Sequence, residues 1–102
     1  MGKYEVIVSE RARRMLAGHL QLLAWKSPAA ARTLKDQLID AMQSLSTMPE
    51  RYPFLEAKYI PPNKYHKMVV QKRYLVLYQI KDRVVYVDLI IDCRQDYQWL
   101  LK

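Results

Sequence analysis

The stretch YHKMVVQKRYLVLYQIKDRVVYVDLIID, residues 65–92, determines most of the fold that this chain can adopt. It holds three runs of β-branched, aromatic and other apolar residues, at 65–70, 74–80 and 84–91, and this composition is typical of strands. Short polar connections at 71–73 and 81–83 separate the runs and predict hairpins. The second and third runs are apolar at nearly every position, so we expect both to be central strands of an antiparallel meander.

The N-terminal half predicts one strand followed by two helices. Residues 4–8 are β-branched and aromatic, and Ser9 after them has the side chain of a helix N-cap. Apolar residues then recur at spacings of three and four over 12–23, which indicates one buried helix face. Ser27 and Pro28 together form a second helix start signal. Helices joined by so short a connection pack as an antiparallel hairpin.

The element order β-α-α-β-β-β predicts a two-layer α+β domain that spans residues 1–102. In this fold the helix hairpin packs on one face of a mostly antiparallel four-stranded sheet. Residues 49–63 carry four of the five prolines and form an irregular connector between the two halves. We expect the second face of the sheet, and the sheet edge, to be open.

The residue types in the chain exclude several classes of function. Cys93 is the only cysteine and there are two histidines, which excludes an intrachain disulfide and argues against a structural zinc site. With two glycines the chain has no Gly-rich phosphate loop. Asp88 and Asp92 are the one acidic pair that suggests magnesium, and a solvated strand end is the simpler interpretation. We therefore expect neither a cofactor nor a metal.

No membrane or export signal is visible in the sequence. The apolar runs are far shorter than the roughly 20 residues of a membrane span. Charged residues interrupt the N-terminal apolar run at once, so a signal peptide is not expected. A cytoplasmic protein without membrane contact is the expectation.

Positive charge is concentrated in one quarter of the chain. The formal net charge is +7, and residues 58–83 hold seven basic residues against one acidic residue. This asymmetry suggests a polyanionic partner, most often a nucleic acid, with a solubilising surface as the alternative. Without a metal, any chemistry has to rely on Arg, Lys, His and Tyr, and these residue types suit phosphodiester cleavage because cations hold the phosphate and stabilise developing charge.

The segments YEVIVSERA (4–12), MPERYPFL (48–55) and KRYLVLYQIKDRVVYVDLIIDCRQDYQWLL (72–101), with the helix hairpin between the first two, resemble the RelE/ParE superfamily. These proteins are the toxins of bacterial type II toxin–antitoxin pairs. RelE-like members cut mRNA in the ribosome by metal-free attack of the ribose 2′-OH on the adjacent phosphorus. ParE-like members inhibit DNA gyrase without cutting nucleic acid, and other members have no established activity, so an inactive binding module is a further alternative for this chain. We favour the ribosome-dependent mRNA endonuclease and keep the two alternatives open.

The resemblance implies catalytic residues near the end of the chain. Arg94 and Tyr97 form the R-x-x-Y after the last strand, where RelE-like toxins have a phosphate-binding arginine and a functional tyrosine. An ion pair of Arg94 with a neighbouring aspartate, and packing of Tyr97, are the structural alternatives. RelE has an arginine just before its L-V-Y-Q, and the equivalent position here is Leu75. Arg73 is the nearest arginine, and we expect it on the same strand face as Leu75.

Further candidates come from the residues themselves. His66 lies among basic residues and has a side chain suited to acid–base chemistry, although a surface histidine without a role is as good an interpretation. Three lysines are expected to bind the RNA backbone or, alternatively, acidic residues of an antitoxin: Lys64, Lys67 and Lys72.

The resemblance also implies partners. The first is a cognate antitoxin with an amphipathic, acidic binding segment, and the others are the ribosome with its mRNA or, for the ParE-like alternative, DNA gyrase. The open sheet edge also permits a homo-oligomer.

Overall fold

The computed structural model describes residues 3–58 and 60–93. The helices are α1 (Glu10–Lys26) and α2 (Pro28–Gln43), and two single 3-10 turns follow at Ser44–Ser46 and Pro49–Arg51. The strands are listed in chain order: β1 (Glu5–Val8), β2 (His66–Val70), β3 (Tyr74–Lys81) and β4 (Val84–Asp92). The two helices pack on a four-stranded sheet, which confirms the predicted fold class. Neither helix is long and apolar enough to cross a membrane.

Two serines define the helix hairpin. The Ser9 hydroxyl accepts a hydrogen bond from the Ala12 amide (3.0 Å) and caps the N-terminus of α1. Ser27 ends α1 and also caps α2, because its hydroxyl accepts from the Ala30 amide (3.1 Å). The connection between the two helices is thus the single residue Ser27, and α1 and α2 pack against each other as a hairpin.

The sheet has the strand order β1-β4-β3-β2 and is mixed. The pairs β2–β3 and β3–β4 are antiparallel hairpins, whereas β1 runs parallel to β4. Parallel strands require a crossover connection, and the helix hairpin is part of it here. The order places β3 and β4 in the centre, as their apolar sequences predicted.

A β-bulge in β4 reverses which residues of the second half of that strand face the helices. Leu77 pairs with Leu89 and Tyr78 pairs with Val87, so Asp88 is the extra residue. Val87 therefore packs under the helices, whereas Leu89 lies on the other face. The bulge explains why the sequence of β4 lacks a clean period of two.

Each face of the sheet has its own core. The helix-side core joins the inner faces of α1 and α2 to alternate residues of the strands, among them Tyr74, Val76 and Tyr78 of β3. Leu75 and Leu77 point to the second face, where they are covered by Leu55 of the connector and by Tyr65, which follows the connector. The expectation of an open second face is thus wrong for this half of the sheet, because the connector folds back over it.

The N-terminal half of α1 covers an open edge of β4. β1 is only four residues long, so the outer edge of β4 beyond Val87 has no neighbouring strand among the described residues. The Ser9 hydroxyl donates to the Asp88 carbonyl (3.2 Å), and His19 Nε2 donates to the Ile90 carbonyl (2.8 Å). These bonds satisfy polar backbone groups that are otherwise costly to bury. His19 thus has a structural role, which agrees with its position on the apolar stripe of α1.

Candidate functional site

The predicted site residues do not converge on one place in the described structure. Arg73 lies in the turn between β2 and β3, next to the end of β4. His66 begins β2 at its other end, in register with Tyr78. Four residues of strand, about 13 Å, separate these two ends. Arg94 and Tyr97 lie outside the described residues, as does the rest of the chain after Cys93.

Arg73 makes a two-pronged ion pair with a buried carboxylate. Its Nη2 lies 2.8 Å from Asp92 Oδ2, and its Nε lies 3.2 and 3.3 Å from the two carboxylate oxygens. Asp92 is 1% exposed. These hydrogen bonds raise the pKa of the Arg73 guanidinium above its usual value. Two of the three guanidinium nitrogens are thus committed to holding the end of β4 against the β2–β3 turn.

The direction of the Arg73 side chain differs from the expectation. Its guanidinium lies over the ring of Tyr74, with Cζ 5.1 Å from the ring centroid, and Tyr74 packs in the helix-side core. Leu75 packs in the core of the second face. The expectation that Arg73 shares a strand face with Leu75 is therefore wrong, because Arg73 precedes the strand and turns toward Asp92.

His66 is part of an aromatic stack and is 8% exposed. Its ring lies between Phe54 (centroids 4.2 Å apart) and Tyr78 (5.2 Å). Its Nδ1 donates to the Tyr52 carbonyl at 2.7 Å. The Tyr78 hydroxyl in turn donates to the Pro49 carbonyl at 2.6 Å. This arrangement fastens the connector to the sheet, and it leaves little of the imidazole accessible to a substrate.

The three predicted RNA-binding lysines are distributed along the β2 edge of the sheet. Lys64 precedes β2, and its Nζ lies 5.3 Å from the centroid of the Tyr65 ring. Lys67 is half-buried in β2, and its backbone amide donates to the Pro53 carbonyl (2.9 Å). Lys72 is exposed at the β2–β3 turn. The geometry thus gives a line of positive charge along one edge and not a compact pocket.

The β2–β3 turn holds two residues in left-handed backbone conformation, Gln71 (φ 54°) and Lys72 (φ 58°). The Arg73 amide closes the turn on the Val70 carbonyl (3.2 Å). Consecutive positive φ angles are those of a type I′ turn, for which Asn-Gly is the preferred sequence. Non-glycine residues pay a steric cost there that glycine does not.

We expect Lys72→Gly to raise the free energy of unfolding by about 0.5–1 kcal/mol, because it relieves this backbone strain. Urea unfolding compared with the wild type checks the expectation. Lys64→Gly is the matched control for the loss of one positive charge and one long side chain. It is not expected to raise the free energy of unfolding. A Lys72→Gly variant that is less stable than the wild type contradicts the turn assignment.

A cluster that the sequence did not indicate lies at the bulge. The Tyr65 hydroxyl donates a hydrogen bond to the Asp88 carboxylate, and Arg11 Nη2 lies 3.5 Å from the same carboxylate. Asp88 and Asp92 thus belong to two separate ion pairs and do not face a shared site. Within residues 3–58 and 60–93, no three His, Cys, Asp or Glu side chains are placed to hold a metal ion. The sequence does not reveal this cluster, because Asp88 meets Tyr65 and Arg11 only through tertiary contacts at the bulge.

Burial of the phenol is the larger cause, and its hydrogen bond to Asp88 the next, of the raised pKa of Tyr65, which is about 12. An unfolded chain releases this proton near pH 10. Between pH 10 and 12 the folded state therefore binds more protons, and its stability falls as the pH rises. Tyr78 has a raised pKa for the same main reason and acts in the same direction.

We expect Tyr65→Phe to make the decline of stability between pH 10 and 12 shallower than in the wild type, whatever its effect at neutral pH. Urea midpoints across this range measure the slope. Tyr86→Phe, which removes a half-exposed phenol from β4 and leaves the Tyr65–Asp88 hydrogen bond in place, is the control for the loss of one hydroxyl group. Equal slopes for Tyr65→Phe and the wild type contradict the assignment.

Comparison with known proteins complements this geometry. Residues 6–97 match the family described as "ParE toxin of type II toxin-antitoxin system, parDE". A comparison with curated proteins gave no match. A solved structure titled "Chromosomal ParDE TA system from P. aeruginosa" is similar over 90% of this chain and 98% of its own chain, with a TM-score of 0.73 and 8% sequence identity. The first match confirms the resemblance to the RelE/ParE superfamily and the second supports the fold, so the chain belongs to the ParE toxin family of type II toxin–antitoxin systems.

Proposed function

We propose that this ParE-family toxin acts by binding and inhibiting DNA gyrase and does not cut RNA. The proposal rests on the contacts of the two predicted catalytic residues that lie within the described structure. His66 is stacked and hydrogen-bonded in the connector, and Arg73 is paired with Asp92. A general base has to reach the proton that it abstracts, and a phosphate clamp needs free donors. Both residues are instead used to hold the fold.

Ribosome-dependent mRNA cleavage is the second candidate. The line of lysines along the β2 edge favours it, because cations spaced along a strand suit a phosphate backbone. In this alternative Arg94 binds the scissile phosphate and Tyr97 assists proton transfer during 2′-OH attack, with neither metal nor cofactor. Such a mechanism has to proceed without His66 and Arg73 in the conformations described above.

An antitoxin is the proposed first partner under either candidate. The chain carries a formal net charge of +7, so an acidic segment is electrostatically suited to neutralise it. A shallow apolar groove of about 390 Å³ runs between α1 and α2 and has cationic residues at its rim. Its lining residues are Ala17, Leu20, Gln21, Ala24, Pro28, Ala31, Arg32 and Lys35. An amphipathic helix with acidic flanks fits this groove, because such a helix lays its apolar face into a hydrophobic channel.

Pulse labelling of cells after induced expression tests the proposed activity. Inhibition of gyrase is expected to lower incorporation of a DNA precursor first, while incorporation of amino acids into protein continues. The Arg94→Ala variant runs in parallel and is expected to keep the effect if no phosphate is cleaved. A fall of protein synthesis before DNA synthesis, lost in Arg94→Ala, supports mRNA cleavage and overturns the gyrase proposal.

A further inference from the structure

The solvent side of α1 carries two large apolar side chains that contact little of the described chain. Trp25 is 83% exposed and Leu22 is 57% exposed. They are three residues apart, so they project from the same side of the helix, with Trp25 about 140° and Leu22 about 80° around the helix axis from the buried Ala12. Single exposed apolar residues are ordinary on protein surfaces, but an adjacent Trp and Leu form the type of anchor that interfaces use.

The stripe that contains these residues is symmetric in its spacing. Counted from Gly18, Arg11 and Arg14 lie at −7 and −4, and Leu22 and Trp25 lie at +4 and +7. These offsets place all five residues on one side of a helix with 3.6 residues per turn. Each arginine of the stripe thus lies as many residues before Gly18 as one of the two apolar residues lies after it.

Gly18 marks the centre of the stripe, and no packing contact among the described residues accounts for it. A methyl group at this position would meet no atom within 4 Å in the described part of the chain. Glycine in a helix interior costs about 1 kcal/mol relative to alanine, and no contact within residues 3–58 and 60–93 requires it here. An absent side chain does, however, allow a second backbone to approach the helix closely.

We propose that α1 is a self-association surface, on which a second copy of the chain packs antiparallel with the two-fold axis passing beside Gly18. An isologous contact of this kind pairs each position with its counterpart at the opposite offset. Arg11 then lies at the height of Trp25 of the partner subunit, where a guanidinium can stack on the indole. Arg14 lies at the height of Leu22 of the partner subunit, where its methylene stem covers apolar surface.

The charges of α1 favour the antiparallel arrangement. Arg11, Arg13 and Arg14 lie near the N-terminus of their own helix, where the helix dipole disfavours positive charge. An antiparallel partner brings the negative C-terminal end of its helix beside them. Arg14 pairs with Glu10 (3.0 Å) and Arg11 with Asp88 (3.5 Å), yet both guanidinium groups are largely exposed and keep a face for the partner. The contact is small, so we expect a weak, reversible dimer.

Sedimentation velocity over a concentration series tests the proposal with the purified full chain. The wild type is expected to shift from monomer to dimer as its concentration rises to about 0.5 mM, a range that detects weak association. Trp25→Ala should weaken the dimer at least about tenfold, as expected for an interface anchor. Met48→Ala removes another exposed apolar side chain, outside α1, and should leave the dimer unchanged.

Gly18→Gln separates the interface from folding, because glutamine is the better helix former and should raise the thermal midpoint while it blocks close approach. A Gly18→Cys variant on a Cys93→Ser background should form an intermolecular disulfide readily, since the two copies of position 18 meet near the axis. Lys35→Cys on α2 is the matched control and should not. A wild type that stays monomeric, a dimer that persists in both Trp25→Ala and Gly18→Gln, or a cross-link at position 35 alone overturns the proposal.

Discussion

Replacing Arg73 with alanine is expected to lower the free energy of unfolding by about 3 kcal/mol, the low end of the cost of breaking a buried ion pair. The change removes three hydrogen-bond contacts from the Asp92 carboxylate, which is buried at the end of β4. It also removes the guanidinium that lies over the Tyr74 ring. Arg73 itself retains some exposure, and for this reason we expect the low end of the range.

Urea unfolding at neutral pH measures this effect. Arg73→Lys should recover only part of the lost stability, because an ammonium group cannot reproduce the two-pronged geometry. Lys72→Ala is the neighbouring control for loss of a surface cation and should change stability by less than about 0.5 kcal/mol. An unchanged unfolding midpoint for Arg73→Ala contradicts the structural role and leaves this arginine available to a ligand.

His66→Phe is expected to preserve toxicity in cells. His66→Ala is expected to lower the free energy of unfolding by about 2–3 kcal/mol. Phenylalanine keeps the stack between Phe54 and Tyr78 and loses only the hydrogen bond to the Tyr52 carbonyl. That loss should cost about 1 kcal/mol. Alanine removes the ring and both stacking contacts, so the connector loses its attachment to β2.

Growth after induced expression, together with the thermal midpoint of each variant, distinguishes a structural from a catalytic histidine. The structural account predicts that toxicity follows stability, with His66→Phe close to the wild type. His19→Phe is a second buried-histidine control, because His19 also donates to a backbone carbonyl. A folded His66→Phe protein that has lost toxicity argues for chemistry at the imidazole and against this account.

Local signals in the sequence predicted much of the fold correctly. The helix N-caps at Ser9 and Ser27 can be recognised in the sequence because each hydroxyl accepts a hydrogen bond from an amide only three residues away. The central positions of β3 and β4 follow from continuous apolar runs, and the spacing of prolines identified the connector. Each of these features depends on neighbours within the same element, which a single sequence displays directly.

The details of the site depend on contacts between distant segments. The bulge at Asp88 reverses the alternation of β4, and no local residue choice distinguishes it from an ordinary two-sided strand. The second face is covered because Leu55 of the connector, together with Tyr65 after it, packs against the strands. Arg73 turns to Asp92 across 19 positions of sequence. The expected direction of the Arg73 side chain was therefore wrong, because it was based only on the alternation of side chains along a strand.

The most direct test of the account is a DNA supercoiling reaction with purified gyrase, relaxed plasmid and this chain. A cell-free translation reaction with the same protein sample, in which primer extension maps the mRNA ends, provides the comparison. The account predicts that supercoiling stops at a toxin concentration that leaves the mRNA intact. Undisturbed supercoiling, together with new ribosome-dependent mRNA ends that disappear in Arg94→Ala, would contradict it.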